Sequence, residues 1–238
     1  WGVGRQYAKF LTQRGVITAY DLVNASESWV KNNMNVNGLR MVKELKGISC
    51  YTLEHQPPRK KNICTSRSFG MDVKDLRELK EAIASYASMC AMKLRKERSL
   101  ACSVTVFLNT NPFKYSHRQY NASQKAVINV PTNDSVEIIK KALSLIDKLF
   151  KKGYTYKKAG VIVSDIVPDD SRQLSLFSVQ DPFKRKYVMQ AMDHVNQTMG
   201  RDKVRIAAEG FGRKWRLKQE KLSPCYTTRF SDMLNVAV

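Results

Sequence analysis

Asn62-Ile-Cys-Thr-Ser-Arg-Ser-Phe-Gly70 is the stretch from which the fold of this chain can be read. Its apolar Ile63 and Phe69 bracket small hydroxyl residues and Arg67. That is the pattern of a β-strand that turns one side to a core and offers Ser66, Arg67, Ser68 and their amides to a partner. Short polar side chains let a phosphate come close to the backbone, and an arginine adds the matching charge. Taken alone the stretch also fits an ordinary solvated strand, so its meaning depends on what surrounds it.

Downstream the pattern is regular. Leu76, Leu79, Ile83, Tyr86, Ala87, Cys90 and Leu94 recur at helical spacing between Lys74 and Arg98, with Asp72 available as a cap. Ala101 to Asn109 alternates, placing Cys102, Val104, Val106 and Leu108 on one side, and Ala122 to Val130 alternates again. From Asp134 to Lys152, Val136, Ile139, Leu143, Ile146 and Phe150 return to helical spacing, behind an Asp134 and Glu137 start and ahead of a Gly153 stop. Tyr154 to Val167 closes as a strand. The order β-α-β-β-α-β predicts an α+β fold: a four-stranded antiparallel sheet backed on one face by two helices, its other face open. Arg67, Lys125, Lys157 and Lys158 are expected on that face or its edge, with Arg118 in a basic, aromatic loop over 114–120. Tyr115 and Tyr120 have rings to stack on bases, though anchoring the loop is the commoner use.

Upstream, Tyr7, Ala8 and Leu11, a Gly15 stop, and Thr18 as a cap describe two short helices within residues 1–25. Gly2-Val3-Gly4, followed by Arg5, opens the first. Two glycines around one apolar residue fold tightly and leave amides outward at a helix N-terminus, an anion site by geometry. We read a helix-hairpin-helix, although a bare Gly-x-Gly is more often a plain turn. Residues 26–50 continue helically on Trp29, Val30, Met34, Val36, Leu39, Val42 and Leu45, with Trp29 expected in the core. Pro57-Pro58 and Arg59-Lys60-Lys61 make 51–61 an extended basic linker suited to a phosphate backbone.

Beyond the last strand, Gln173-Leu-Ser-Leu-Phe177 stands alone in a polar, turn-rich segment. It cannot build a core and is expected to dock in an apolar pocket, on its own fold or on a partner. The adjacent Asp169-Asp170 pair reads as solvated rather than as a metal site. A helix from Asp181, a Gly200 stop, a strand over Val204 to Ala208 and a Gly210-Phe211-Gly212 turn complete the expectations.

Among 238 residues, 41 Lys+Arg against 21 Asp+Glu give a formal charge of +20, which points to a polyanionic partner. The excess is spread along the chain, as on a folded basic surface rather than a disordered tail. The five cysteines form no Cys-x-x-Cys pair and the three histidines lie far from them, so neither disulfides nor zinc is expected and the compartment reads as reducing. No apolar run is long enough to span a bilayer, and the N-terminus is no signal peptide. The chain opens at Trp1 within what reads as a motif, and a piece of something longer is expected.

Trp-Gly-Val-Gly-Arg5, Cys64 to Gly70, Ala84-Ser-Tyr-Ala87, Tyr154 to Val161, Gln173 to Phe177 and Leu222-Ser-Pro-Cys-Tyr-Thr-Thr-Arg-Phe-Ser-Asp232 together resemble the UmuC branch of the Y family of translesion DNA polymerases, over essentially the whole chain. The resemblance implies a helix-hairpin-helix thumb at 1–50, the linker at 51–61, a little finger at 62–167, and a clamp-binding segment with a UmuC-type C-terminal region at 168–238. It implies that Gly2, Val3, Gly4 and Arg5 meet the backbone of primer-template duplex DNA while the little-finger strands enter the major groove. It further implies that Gln173, Leu174, Ser175, Leu176 and Phe177 fill a hydrophobic pocket of the sliding clamp, and that a UmuD′ dimer and RecA are partners in the SOS response. The family's two catalytic metals sit on palm carboxylates that would precede Trp1. Mg2+ is therefore expected only in that palm, no cofactor on this chain, and a cytoplasmic, nucleoid-associated role of binding and tethering rather than polymerising. Two other readings compete: a free-standing, non-catalytic remnant that competes for the clamp, and an RNA-binding module. The second is weakened because the strands lack the Lys/Arg-Gly-Phe/Tyr-Gly/Ala-Phe signature.

Overall fold

The helices that follow Thr18, Ser26 and Asp134 begin where those side chains occupy free amides of the first turn. In the computed structural model, which describes residues 2–54, 58–171, 182–217 and 221–234, α1 (Arg5–Thr12) leads through a turn at Gly15 to α2 (Ala19–Asn24). There Thr18 and Asp21 cap each other: Asp21 N–H donates to the Thr18 hydroxyl and Thr18 N–H to the Asp21 carboxylate, at 3.1 and 2.8 Å. α3 (Glu27–Leu45) starts on Ser26 and bends at Asn35, whose φ of 58° breaks the helical path. The bend resets the helical phase, so Val36 and Leu45, expected on the apolar face, are exposed. Leu11, Leu22, Val30, Met34 and Val42 form the core, with Trp29 stacked on Phe10 at its border. This first unit spans Trp1–Arg59; Lys60–Val238 form the second.

In the second unit the alternating stretches become β1 (Asn62–Val73), β2 (Ser99–Thr110), β3 (Asn121–Thr132) and β4 (Tyr156–Pro168). The stretches at helical spacing become α4 (Leu76–Lys96) and α5 (Ser135–Leu149). All strand neighbours are antiparallel in the order β1-β4-β2-β3. Two crossovers interlock: β1-α4-β2 encloses β4, and β3-α5-β4 encloses β2. The expected α+β topology is therefore present. Asp134 caps α5, accepting from Val136 N–H at 2.6 Å. Asp72 does not cap α4; Asp75 takes that position without a side-chain bond, and Asp72 accepts from Lys114 Nζ at 2.6 Å. The core lies between sheet and helices, built from Phe69, Leu79, Ile83, Leu94, Val104, Val106, Leu108, Ile138, Ile146, Val161 and Val163.

The C-terminal residues finish this core. α6 (Pro182–Thr198) is tied to α4 through Arg95, whose guanidinium grips both Asp193 oxygens at 2.6 and 2.7 Å. The strand expected over Val204 to Ala208 is not formed. The Asn196 side chain holds both the N–H and the carbonyl of Val204, and the chain turns in a 3-10 turn at Ala207–Glu209. Trp215 then enters the core edge-on to Tyr86 and Phe69, with ring centroids 5.6 and 6.4 Å away. The backbone of β1 receives it: the register slips between Ser68 and Val73, and Gly70 N–H donates to the Trp215 carbonyl at 3.1 Å. A Cβ at Gly70 would lie 2.3 Å from the Arg216 carbonyl oxygen, so only glycine fits. Among the described residues no helix is long and apolar enough to cross a membrane.

Candidate nucleic-acid interface

Strand alternation sends every second side chain of the sheet away from the helices. Four rows cross this open face from β1 through β4 and β2 to β3. They are Asn62, Ser164, Ser103, Val127; then Cys64, Ile162, Thr105, Lys125; then Ser66, Gly160, Phe107, Ser123; and last Ser68, Lys158, Asn109, Asn121. The rows hold hydroxyls, amides and two lysines, together with Cys64, Gly160 and the apolar Val127, Ile162 and Phe107, and no carboxylate. A surface of this kind offers donors at short reach without the repulsion that acids would impose on phosphates.

The centre of the face is packed tightly. Gly160 lies beneath the Phe107 ring: a Cβ there would be 2.3 Å from the ring's Cζ and 2.6 Å from Ser66 Cβ. The missing side chain lets the ring lie flat and keeps the face shallow. One acid reaches the rim. Asp165, at φ 55°, turns out of the strand's alternation, and its carboxylate accepts from Ser103 Oγ at 2.7 Å and Lys125 Nζ at 2.8 Å. The Lys125 and Ser103 donors hold its carboxyl below the usual carboxylate range.

The sequence-predicted residues divide. Ser66, Ser68, Lys125 and Lys158 share the open face. Arg67 is exposed on the edge strand but follows the alternation of Ile63, Thr65 and Phe69, so it lies on the helix-backed side, where its charge acts on the Tyr86 hydroxyl. Lys157 is half-buried and donates to the Phe69 carbonyl at 2.7 Å. Arg118 is exposed in the loop between β2 and β3, which Gln119 staples through the carbonyls of Asn111, Lys114 and His117. In that loop Tyr120 is an anchor, its hydroxyl donating to the Leu149 carbonyl at 2.9 Å, whereas Tyr115 is fully outside. Lys60 pairs with Glu97; Arg59 and Lys61 are exposed. In the first unit Gly2, Val3, Gly4 and Arg5 are all exposed, and Gly4 caps α1 with no side chain to occupy its free amides. Gln173 to Phe177 lie outside the described residues. Asp169 pairs with Lys186 at 3.5 Å.

Sequence reasoning missed Asn62, Ser103, Thr105, Phe107, Asn109 and Ser164. The signal was present, since Ser103, Thr105, Phe107 and Asn109 alternate with the apolar residues of β2. A phenylalanine in that series masks the polar character of the row.

Residues 60–176 match the family described as the impB/mucB/samB family C-terminal domain, and residues 186–236 match a domain of unknown function. The chain is 38% identical to Protein UmuC of Salmonella typhimurium over 237 residues, covering 99% of this chain and 56% of that protein. It is 39% identical to Protein SamB of Salmonella typhimurium, covering 98% and 55%. DNA polymerase IV 1 of Bacillus subtilis is 23% identical, over 87% of this chain and 49% of that protein. The chain thus spans about half the length of the curated relatives it matches. These likenesses define the class, a C-terminal region of the Y-family polymerase type. Within that class the chain is a UmuC-like C-terminal portion, whose residues 60–176 match the impB/mucB/samB family C-terminal domain.

Proposed function

We propose that this chain is the DNA-gripping and clamp-docking part of an error-prone translesion DNA polymerase acting in SOS repair and mutagenesis. The observation that carries the reading is the open sheet face, where hydroxyl and amide side chains share the rows with Lys125 and Lys158, and the one carboxylate at its rim, Asp165, is already held by Lys125 and Ser103. Such a face holds a duplex through its phosphates and reads little of its bases, which suits a template carrying a damaged base. Gly2 to Arg5 add a second backbone contact through the free amides of α1. In this reading, metal-dependent nucleotidyl transfer belongs to the palm carboxylates of the remaining half of the protein. Gln173 to Phe177 dock in the sliding clamp, and a UmuD′ dimer and RecA complete the assembly.

The test is duplex binding as a function of salt. Each phosphate contact contributes about 0.9 to the slope of log affinity against log salt, so Lys125→Ala/Lys158→Ala should lower the slope by about 2. A slope near zero for the unaltered chain would sink the reading. For the clamp, Leu176→Ala/Phe177→Ala should abolish binding to the isolated clamp while duplex affinity is kept; retained clamp binding would remove that assignment.

A further inference from the structure

The C-terminal residues do more than complete a core. Between them and α4 lies a cleft of about 1310 Å³ whose wall and floor include Met89, Met92, Trp215 and Leu217. Its four carboxylates are all committed. Asp169 pairs with Lys186 at 3.5 Å and Asp193 with Arg95 at 2.6 Å. Asp202 takes Arg213 and Arg216 at 2.6 and 2.8 Å, and Glu209 takes Arg213 at 3.1 Å. Arg67, Lys96, Arg98, Arg201 and Arg205, on the same walls, have no carboxylate partner among the described residues. A concavity lined by one sign of uncompensated charge focuses its field into the opening and draws in a polyanion.

We propose that this cleft binds a single strand of nucleic acid. Cations without a carboxylate partner stand on both walls, on β1 and the end of α4 on one side and at Arg201 and Arg205 on the other, where Arg205 donates to the Gly210 carbonyl at 3.3 Å, and this spread suits repeated phosphates rather than one acidic group. The exposed flanks of Met92 and Leu217 provide apolar surface against which bases can pack, beside the positively charged groove that tracks a single strand's backbone. A cleft of this volume takes a few nucleotides of one strand and excludes a double helix. Its position adds a route. Ser68 lines the cleft and also ends the row Ser68, Lys158, Asn109, Asn121 on the open face, so a strand crossing the edge of β1 passes from one surface to the other. That continuity favours nucleic acid over an acidic peptide. The route rests on the duplex reading above; the cleft's own affinity does not.

The experiment uses the whole chain, with blunt duplex and single-stranded oligothymidine as separate probes. Lys96→Ala/Arg98→Ala/Arg201→Ala alters exposed side chains that make no hydrogen bond or ion pair among the described residues. It should weaken oligothymidine binding about tenfold or more at low salt and lower its salt slope by about 2, at roughly 0.7 per phosphate for single strands. Blunt-duplex affinity should stay within about twofold. Lys125→Ala, in a row that does not meet the cleft, should instead weaken duplex binding and leave oligothymidine affinity within about twofold. Oligothymidine binding that is absent, or unchanged in the cleft variant, overturns the proposal even if duplex binding follows the open face. Loss of oligothymidine binding in the cleft variant upholds it even if the duplex does not bind at all, in which case the open-face reading fails alone. If polyglutamate of matched charge binds more tightly than oligothymidine with the same dependence on the three residues, the occupant is an acidic peptide and the nucleic-acid assignment falls.

Discussion

Gly160→Ala adds one methyl group where the structure has no room for it. The new Cβ would stand 2.3 and 2.5 Å from Phe107 Cζ and Cε1 and 2.6 Å from Ser66 Cβ. Overpacking of this kind costs about 1–3 kcal/mol. Replacing glycine by alanine in a strand returns about 0.5–1 kcal/mol through lost backbone freedom in the unfolded chain. The expected net loss is therefore between about 0 and 2.5 kcal/mol, with the Phe107 ring displaced toward solvent. Phe107→Ala removes the obstacle, so Gly160→Ala should cost little in that background and the two changes should be coupled by about 1 kcal/mol or more. Urea unfolding can be followed by protection of the buried Cys90 thiol from alkylation, which reports the second unit alone. Equal cost of Gly160→Ala in both backgrounds would refute the packing account of the open face.

Lys157→Ala should leave the salt slope of duplex binding unchanged and cost about 0.5–1.5 kcal/mol in urea unfolding, because its ammonium serves the Phe69 carbonyl. A slope reduced as far as by Lys158→Ala would place Lys157 on the DNA instead. Trp215→Ala should cost about 3–5 kcal/mol, the range for an emptied aromatic site, since Trp215 is buried against Phe69 and Tyr86. Stability kept within 1 kcal/mol or so would mean that the C-terminal residues do not complete the core. Burial pushes the Cys90 thiol up to about 11, so near neutral pH it is protonated as well as enclosed, whereas Cys64 is exposed on the open face. Mass spectrometry after alkylation should find Cys64 modified in the free chain and protected by duplex DNA, with Cys90 modified only on unfolding or as pH rises toward its pKa. Cys64 modified equally fast with and without saturating duplex would exclude this face from the interface.

The order and type of the elements from 62 to 168 were legible because alternation and helical spacing are local signals, repeated often enough within each element to decide it. The open face was legible in outline for the same reason: once Val104, Val106 and Leu108 face the helices, their neighbours must face away. What failed was the side of the sheet on which individual charged residues fall. Arg67 was grouped with Ser66 and Ser68, although strict alternation separates it from both. Lys157 and Lys158 are adjacent in the chain and were read as a pair, but one reaches a backbone carbonyl at the edge and the other the open face. The first unit shows a similar limit at Asn35, where a single left-handed residue shifts the phase of everything after it.

By itself the sequence determined the antiparallel layer, its two backing helices, the surplus of positive charge and the polar side that the core leaves exposed. All of these follow from composition and short-range periodicity. Only the tertiary structure decided that residues 182–217 close the core of the second unit, and that Asn196 holds Val204 out of a strand. It also decided that Trp215 seats against a slipped register in β1, and that the acids of the resulting cleft are consumed while several of its arginines and lysines are not. Those outcomes depend on pairings between residues far apart in the chain, such as Arg95 with Asp193 and Gly70 with Trp215. No local period encodes such pairings, because each is made once and is chosen by the shape and charge of surfaces that exist only after the chain has folded.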